Sequence, residues 1–183
     1  MLDPLALNII SVGFGLLLLL AAVHKLSSLR KFRSTLAAYE LLPEMLISPV
    51  SILLPIIETL LGVAWLLAIQ PVFVALASAV LLAGYTSGII INLLRGRIHI
   101  DCGCGTVRNA GSDQQLSWGL VLRNSLLITA ALTASLPVRE RATEWVDYVT
   151  LVAGLLAIVL LYGAANQLLN NEAAIGTWRN RRD

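Results

Sequence analysis

The sequence predicts an all-α protein, a polytopic bundle of transmembrane helices, and three observations support this fold class. Hydrophobic residues make up 57% of the 183-residue chain and charged residues only 13%, whereas soluble domains carry roughly 25% charged residues. The mean hydropathy is +0.81. The apolar residues fall in long blocks, without the period-two alternation that the strands of a membrane barrel require.

Five blocks are long enough to be membrane spans, because about 20 helical residues cross the ~30 Å hydrocarbon core. They cover about residues 5–25, 46–69, 71–94, 116–136 and 145–169 of a single transmembrane domain, 1–183. The first follows Met-Leu-Asp-Pro, which lacks the basic residues of a signal peptide, so we expect a retained span. Arg123 falls well inside the fourth block, which makes that block the weakest of the five predictions.

Between the first two spans, residues 26–43 are predicted to form an amphipathic helix. Leu29, Phe32, Leu36 and Tyr39 recur at intervals of three and four residues, a spacing typical of one helix face. Such a helix is expected in the headgroup plane of the bilayer. The alternative is a plain cytosolic connector.

Basic residues are concentrated in the three segments that five spans place on one side of the membrane. These residues are Lys25, Arg30, Lys31, Arg33, Arg95, Arg97, Arg108, Arg179, Arg181 and Arg182. The other side holds only Arg139 and Arg141. Because basic loops stay in the cytoplasm, the N-terminus is predicted outside and the loop of about residues 95–115 inside. The net charge of +2 gives no reason to expect nucleic-acid binding.

The loop of residues 95–115 contains both cysteines of the chain, in the sequence Cys102-Gly-Cys104. A disulfide between them would close a very small ring, and strained disulfides are labile and suited to exchange. His99 and the neighbouring arginines would favour the reactive thiolate. The pattern therefore favours a thiol–disulfide pair. Two alternatives remain: inert thiols, or a metal site on His99, Cys102 and Cys104, although the recurring spacings of structural zinc sites are not found.

Charged residues within or beside the spans are candidate supporting residues, because a charge in a membrane is costly and commonly functional. Glu58 lies about three turns into the second span, and Lys25 and Arg123 are both candidate partners for it. With His99, these residues could stabilise a thiolate or a quinone oxyanion. The alternative is a structural ion pair that fixes the register of the helices.

Several runs of residues resemble known families of membrane proteins. Those that resemble the DoxX-like superfamily of small membrane bundle proteins are Ala22-Val-His-Lys25, Tyr39-Glu-Leu-Leu-Pro43 and Pro55-Ile-Ile-Glu58-Thr-Leu-Leu-Gly62. Those that resemble the methylamine utilisation protein MauE family are Asn92-Leu-Leu-Arg-Gly-Arg-Ile-His-Ile-Asp-Cys-Gly-Cys-Gly105, Trp118 and Arg123-Asn124. The resemblance covers roughly residues 8–165 and is much more specific than the cysteine pair alone.

The resemblance implies a multi-pass protein of the bacterial inner membrane that is needed to make methylamine dehydrogenase. It implies a thioredoxin-like partner of the MauD type and a periplasmic substrate, the disulfide-rich small subunit, whose disulfide formation, folding or export the protein would support. On this analogy Cys102 and Cys104 form the redox pair of a thiol–disulfide oxidoreductase. A single pair performs one two-electron exchange, so it must meet either the thioredoxin-like partner or a membrane quinone.

Sidedness is the point on which these inferences conflict. Disulfides form in the periplasm, whereas the charge distribution places the loop of Cys102 and Cys104 in the cytoplasm. Either the charge rule fails here, or the loop folds back into the bundle, or the protein passes electrons across the membrane as CcdA-type transporters do. A non-enzymatic scaffold or export factor and a metal-binding protein are the remaining alternative functions.

Overall fold

The computed structural model describes residues 2–97, 116–138 and 145–179. The all-α prediction is confirmed over these residues, which form six helices. They are α1 (Pro4–Ser27), α2 (Leu29–Ala38), α3 (Glu44–Leu66), α4 (Pro71–Leu94), α5 (Trp118–Thr133) and α6 (Trp145–Arg179). Helices α1, α3 and α4, and residues Trp145–Ala165 of α6, are long and apolar enough to cross a membrane.

Local sequence signals explain where the long helices begin and end. The side chain of Asp3 accepts a hydrogen bond from the backbone N–H of Leu5, and Pro4 occupies the first turn of α1, where its missing N–H costs nothing. Helix α3 ends before a turn in which Ala68 and Gln70 have φ values of +51° and +45°. The predicted second span, 46–69, therefore includes three residues of this turn.

Helix α5 is shorter than the predicted fourth span of residues 116–136. Its 16 residues are about 24 Å long at 1.5 Å per residue, less than the ~30 Å hydrocarbon core. At its start Ser117 is extended, with φ −142° and ψ 156°. At its end Ser135 and Leu136 bond three residues back, to Leu132 and Thr133, which tightens the last turn. The apolar run thus continues beyond both ends of the helix.

The backbone contacts of Leu2 show which helix ends lie together in the bundle. The N–H of Leu2 donates to the carbonyl of Pro137 at 2.9 Å, and Leu2 also forms a β-bridge with Val138. The start of α1 and the end of α5 therefore lie at one end of the bundle, as expected if α1, α3, α4 and α5 run alternately in opposite directions. The opposite end, which holds residues 28–43, 95–97 and 116–117, is called the loop end below.

Helices α1 and α3 approach closely through a pair of glycines. A Cβ atom built on Gly15 would lie 3.2 Å from the carbonyl oxygen of Gly62, and one built on Gly62 would lie 3.1 Å from that of Gly15. Leu66 and Leu19 cover the two glycines, with atoms 2.6 Å and 2.8 Å from these Cβ positions. Small residues at such a crossing permit dense packing between membrane helices.

A second contact ties α1, α3 and α4 together beside the glycines. The ring of Trp65 stacks on Phe14 with centroids 5.4 Å apart, and its indole N–H donates to the hydroxyl of Ser78 at 2.9 Å. All three side chains are buried. The register between α1 and α3 is therefore fixed by shape, and that between α3 and α4 by a hydrogen bond.

The amphipathic segment forms the short helix α2, which packs against α3 at the loop end. Phe32 and Thr35 are buried, whereas Arg30, Lys31 and Arg33 are exposed. This division of faces is the one that the spacing of apolar residues predicts. The position of α2 in the headgroup plane stays a prediction.

Candidate functional site

Lys25 and Glu58 form an ion pair inside the bundle. The ammonium group of Lys25, near the end of α1, donates a hydrogen bond to Oε1 of Glu58 in the middle of α3. The two side chains are only 4% and 1% exposed. A charge removed from water to this degree is tolerated only when it is paired, so each residue requires the other. Of the two partners predicted for Glu58, the structure brings Lys25 to it.

Tyr85 of α4 completes a triangle of polar groups with this pair. Its hydroxyl donates to Oε1 of Glu58 at 2.8 Å and lies 3.3 Å from the ammonium nitrogen of Lys25, from which it accepts. The ammonium nitrogen also lies 4.6 Å from the ring centroid of Tyr85 and 5.4 Å from that of Phe32 in α2. Both distances suit cation–π attraction. We call Lys25, Phe32, Glu58 and Tyr85 the buried polar cluster; it joins α1, α2, α3 and α4.

The sequence of α3 explains why Glu58 faces inward. Ser51, Pro55, Glu58, Gly62 and Trp65 are all buried, and their spacing of three and four places them on one helix face. The buried face therefore carries a carboxylate among small and apolar groups. Pro55 has no N–H to continue the helix ladder, and its carbonyl accepts from the hydroxyl of Thr59 at 2.8 Å.

Glu58 retains an acceptor that the cluster leaves unused. Within the part of the chain that the structure describes, Oε2 of Glu58 is buried and accepts no hydrogen bond. Asn92, further along α4, is completely buried; its amide donates to the carbonyl of Gly88 at 3.1 Å, while its Oδ1 has no donor among the described residues. Buried acceptors without a donor are uncommon in proteins.

The first residues of the cysteine loop are fixed to the corner between α2 and α3. Arg97 donates to the carboxylate of Glu40 at 2.6 Å. This hydrogen bond, with the positive charge of Arg97, holds the pKa of Glu40 below its ordinary value and raises the pKa of Arg97. Glu40 has φ +48° and Gly96 has φ +72°, so the backbone on both sides of the ion pair is left-handed, a conformation uncommon for glutamate.

The last residues before α5 are fixed to the same corner by apolar packing. Leu116 and Leu120 are buried against Ile89, with Tyr39 packed beside them. The ring of Tyr39 also lies 3.5 Å from the Cβ position of Gly88. Both ends of the loop that contains Cys102 and Cys104 are therefore held at the loop end. This level is about 14 Å beyond Tyr85, since nine residues separate Tyr85 from the end of α4.

Arg123, the other partner predicted for Glu58, contacts Tyr162 and Asn124. Its guanidinium carbon is 5.7 Å from the ring centroid of Tyr162 in α6, and it donates to Oδ1 of Asn124 at 3.4 Å. His99, Cys102 and Cys104 lie outside the described residues. Among residues 2–97, 116–138 and 145–179, no three His, Cys, Asp or Glu side chains are grouped so that they could hold a metal ion.

Tyr85 was not identified from the sequence as a member of the cluster, nor was the contact between the ring of Phe32 and the ammonium group of Lys25. Phe32 was expected on the apolar face of α2, and no pattern shows that this face covers a lysine. Tyr85 is a phenol within an otherwise apolar span, and buried tyrosine hydroxyls usually find a polar partner. That single signal could have linked it to Glu58.

These features define a multi-pass helical membrane protein whose polar centre is a lysine–glutamate pair held by four helices. The family model for the methylamine utilisation protein MauE matches residues 3–137, a range that includes the buried polar cluster, both cysteines and Arg123. The chain belongs to this family.

Similar proteins extend the match to most of the chain. The methylamine utilization protein MauE of Paracoccus denitrificans is 34% identical over 176 residues, which cover 95% of this chain and 92% of that protein. The protein of the same description from Methylophilus methylotrophus is 33% identical over 172 residues, covering 93% and 90%. That from Methylorubrum extorquens is 34% identical over 165 residues, covering 89% and 87%. No solved structure matches the chain significantly.

Proposed function

We propose that this protein serves methylamine utilisation as a thiol–disulfide protein of the bacterial inner membrane. It supports disulfide formation, folding or export of a periplasmic redox subunit, the small subunit of methylamine dehydrogenase. Cys102 and Cys104 are the redox pair. A thioredoxin-like protein of the MauD type is the partner, with the substrate subunit as the second protein.

The observation that carries the proposal is family membership over residues 3–137, together with the fixed ends of the cysteine loop. The Arg97–Glu40 contact and the packing of Leu116 place the two ends at the same end of the bundle. A redox pair on a loop carried by a rigid scaffold can present its sulfur atoms to a partner protein reproducibly.

The proposed reaction is thiol–disulfide exchange. A thiolate of the substrate attacks one sulfur of the Cys102–Cys104 disulfide, and a second substrate thiol resolves the mixed disulfide. The substrate dithiol becomes a disulfide with loss of two electrons and two protons, and Cys102 and Cys104 become thiols. A disulfide of the thioredoxin-like partner, or a membrane quinone, then accepts the two electrons and two protons that restore the pair.

The test is replacement of the cysteines in a strain that grows on methylamine. Cys102→Ser, Cys104→Ser and the double variant should abolish accumulation of the disulfide-bonded small subunit, as seen by non-reducing electrophoresis of periplasmic extracts. Ser125→Ala is the matched control, because this exposed hydroxyl donates to the carbonyl of Val121 in its own helix. All variants are compared at equal membrane abundance.

Normal maturation of the small subunit with both cysteines replaced would refute the proposal. It would favour a non-enzymatic scaffold or export factor, for which changes at Lys25 or Glu58 impair maturation through lower abundance while cysteine changes do not.

A further inference from the structure

The unused acceptor of Glu58 indicates a ligand of defined chemistry. Oε2 is buried in a side chain only 1% exposed, and no described residue donates to it. A buried carboxylate oxygen without a donor costs free energy, so the group that binds here must donate a hydrogen bond. Because Lys25 already neutralises Glu58, a neutral donor fits better than a second cation, which the ammonium group would repel.

The neighbours of Glu58 restrict the ligand further. The rings of Phe32 and Tyr85 both lie near the ammonium group of Lys25, with centroids 5.4 Å and 4.6 Å away, and aromatic rings can stack against another planar ring. The ammonium has three N–H donors; one serves Glu58 and one serves Tyr85. The third can serve an oxygen acceptor. The ligand thus has a ring, a hydroxyl donor and an oxygen acceptor.

The residues around Tyr85 are compatible with entry of this ligand from the lipid phase. Tyr85 is half-buried, and beside it on α4 the exposed residues are the small Ala83, Gly84 and Ser87. Apart from its own helix, no described residue lies within 4 Å of a Cβ atom placed on Gly84. A ring carried on an apolar tail could therefore reach Tyr85 along this face of α4 without displacing a large side chain.

We propose that the buried polar cluster binds the head group of a lipid-soluble quinone and its quinol, with a quinol hydroxyl donating to Oε2 of Glu58. The inference rests on the proposed function in one respect: the bound quinone is taken to be the oxidant of the Cys102–Cys104 pair. In that step two S–H bonds break and one S–S bond forms, while the quinone gains two electrons and two protons and becomes quinol.

The experiment measures binding of decylubiquinol to the full-length protein in lipid nanodiscs under anaerobic conditions. Wild-type protein should bind it saturably, and Glu58→Gln should weaken binding about tenfold or more, because a charged acceptor is lost from a desolvated site. Glu44→Gln is the matched control: it makes the same change in the same helix at an exposed first-turn position, and it should bind as wild type does.

A second measurement uses unaltered protein, because Glu58→Gln removes half of a buried ion pair. An azido-quinone photolabel should attach to peptides of α2 or α4 that contain Phe32 or Tyr85, and excess decylubiquinol should suppress the labelling. Absence of saturable binding, unchanged binding by Glu58→Gln, or competable labelling confined to other helices would overturn the inference.

The outcomes separate the inference from the proposed function. The Cys102→Ser/Cys104→Ser variant should bind decylubiquinol normally. If cysteine changes block maturation but no quinol binds, only the quinone site is wrong. If quinol binds but the cysteines are dispensable, only the thiol–disulfide function is wrong.

Discussion

A lysine and a glutamate buried together in an apolar bundle stabilise the fold only as a pair. Lys25 and Glu58 are 4% and 1% exposed, so both charges are almost completely removed from water. Removal of one partner leaves the other charge uncompensated, which typically costs more than removal of both. Tyr85 and Phe32 add a hydrogen bond and two ring faces to the pair, but they cannot neutralise a remaining charge.

The ion pair should show strong coupling in a double-mutant cycle. Lys25→Met and Glu58→Gln are each expected to lower the free energy of unfolding by about 3 kcal/mol or more, whereas the double variant should lose clearly less than the sum. Unfolding of the purified protein in mixed micelles, followed by circular dichroism, gives the four values. Additive losses would show that the two charges do not depend on each other.

The Glu40–Arg97 pair at the surface should titrate as a local contact. Because the pKa of Glu40 is lowered in the folded protein, the pair contributes to stability above the pKa of a free glutamate. That contribution is lost as the pH falls through the lowered pKa. Carbon NMR of the Glu40 carboxyl should give a pKa below the ordinary value, and Arg97→Gln should raise it. High salt should reduce the difference between the two proteins; an identical titration in both would contradict the contact.

At single residues, sequence reasoning identified the charges but not their contacts. Glu58 could be recognised as a membrane-buried acid, yet both Lys25 and Arg123 were plausible partners from their positions in the chain. Packing decides between them: the crossing of α1 and α3 brings Lys25 to Glu58, and Arg123 lies over Tyr162 instead. Lys25 and Glu58 are 33 positions apart in the chain. Their pairing depends on how the helices pack, so the local spacing of residues does not predict it.

At the level of whole helices, the crossing of α1 and α3 depends on two glycines that have no room for a side chain. Gly15 and Gly62 each have a facing carbonyl oxygen and a leucine side chain within 3.2 Å of the position of an added Cβ. Helices that separate here would also move Lys25 away from Glu58. The close approach at Gly15 and Gly62 therefore also keeps Lys25 within reach of Glu58.

Alanine at these glycines should destabilise the protein despite its better helix propensity. Gly15→Ala and Gly62→Ala are expected to lower the melting temperature in detergent. Gly13→Ala, in the same helix as Gly15, should leave it unchanged or raise it. Apart from its own helix, no described residue lies within 4 Å of the Cβ position of Gly13, and alanine favours the helix by up to about 1 kcal/mol. Equal effects of all three substitutions would show that the crossing is not tight.

Helix positions followed from the sequence more closely than helix ends did. Long apolar runs gave α1, α3, α4 and α6, because the cost of unsatisfied backbone in lipid leaves helices as the one solution for such runs. The ends of α5 are set instead by the extended Ser117 and by the tight turn at Ala134–Leu136. Such ends depend on hydrogen bonds of single residues, which hydropathy does not report.

The molecule as a whole has two unlike ends, which are separated by helices long and apolar enough to cross a membrane. The turn between α3 and α4 lies at the end that holds the N-terminus, and α2 lies at the loop end with its exposed basic residues. The charge distribution predicts that the loop end faces the cytoplasm. The chemistry proposed for Cys102 and Cys104 favours the opposite face.

Labelling with a membrane-impermeant maleimide decides the orientation. In a Cys102→Ser/Cys104→Ser background, Gln70→Cys and Ser34→Cys, both exposed, should label from opposite sides of the membrane. The charge rule predicts that Gln70→Cys is labelled in intact spheroplasts and Ser34→Cys only after lysis. The reverse pattern would place the cysteine loop in the periplasm, and labelling of both from one side would contradict the topology.

The buried ion pair also has a consequence for the order in which the chain enters the bilayer. A lone acidic or basic residue raises the cost of inserting a helix by about 2.5–3.5 kcal/mol, and Glu58 is synthesised 33 residues after Lys25. Lys25 lies near the end of α1, so its long side chain can keep the ammonium group hydrated at the membrane interface until α3 inserts. Helix α3 cannot shelter its glutamate in this way, so it is expected to leave the translocon paired with α1, as a hairpin whose charges neutralise each other during insertion.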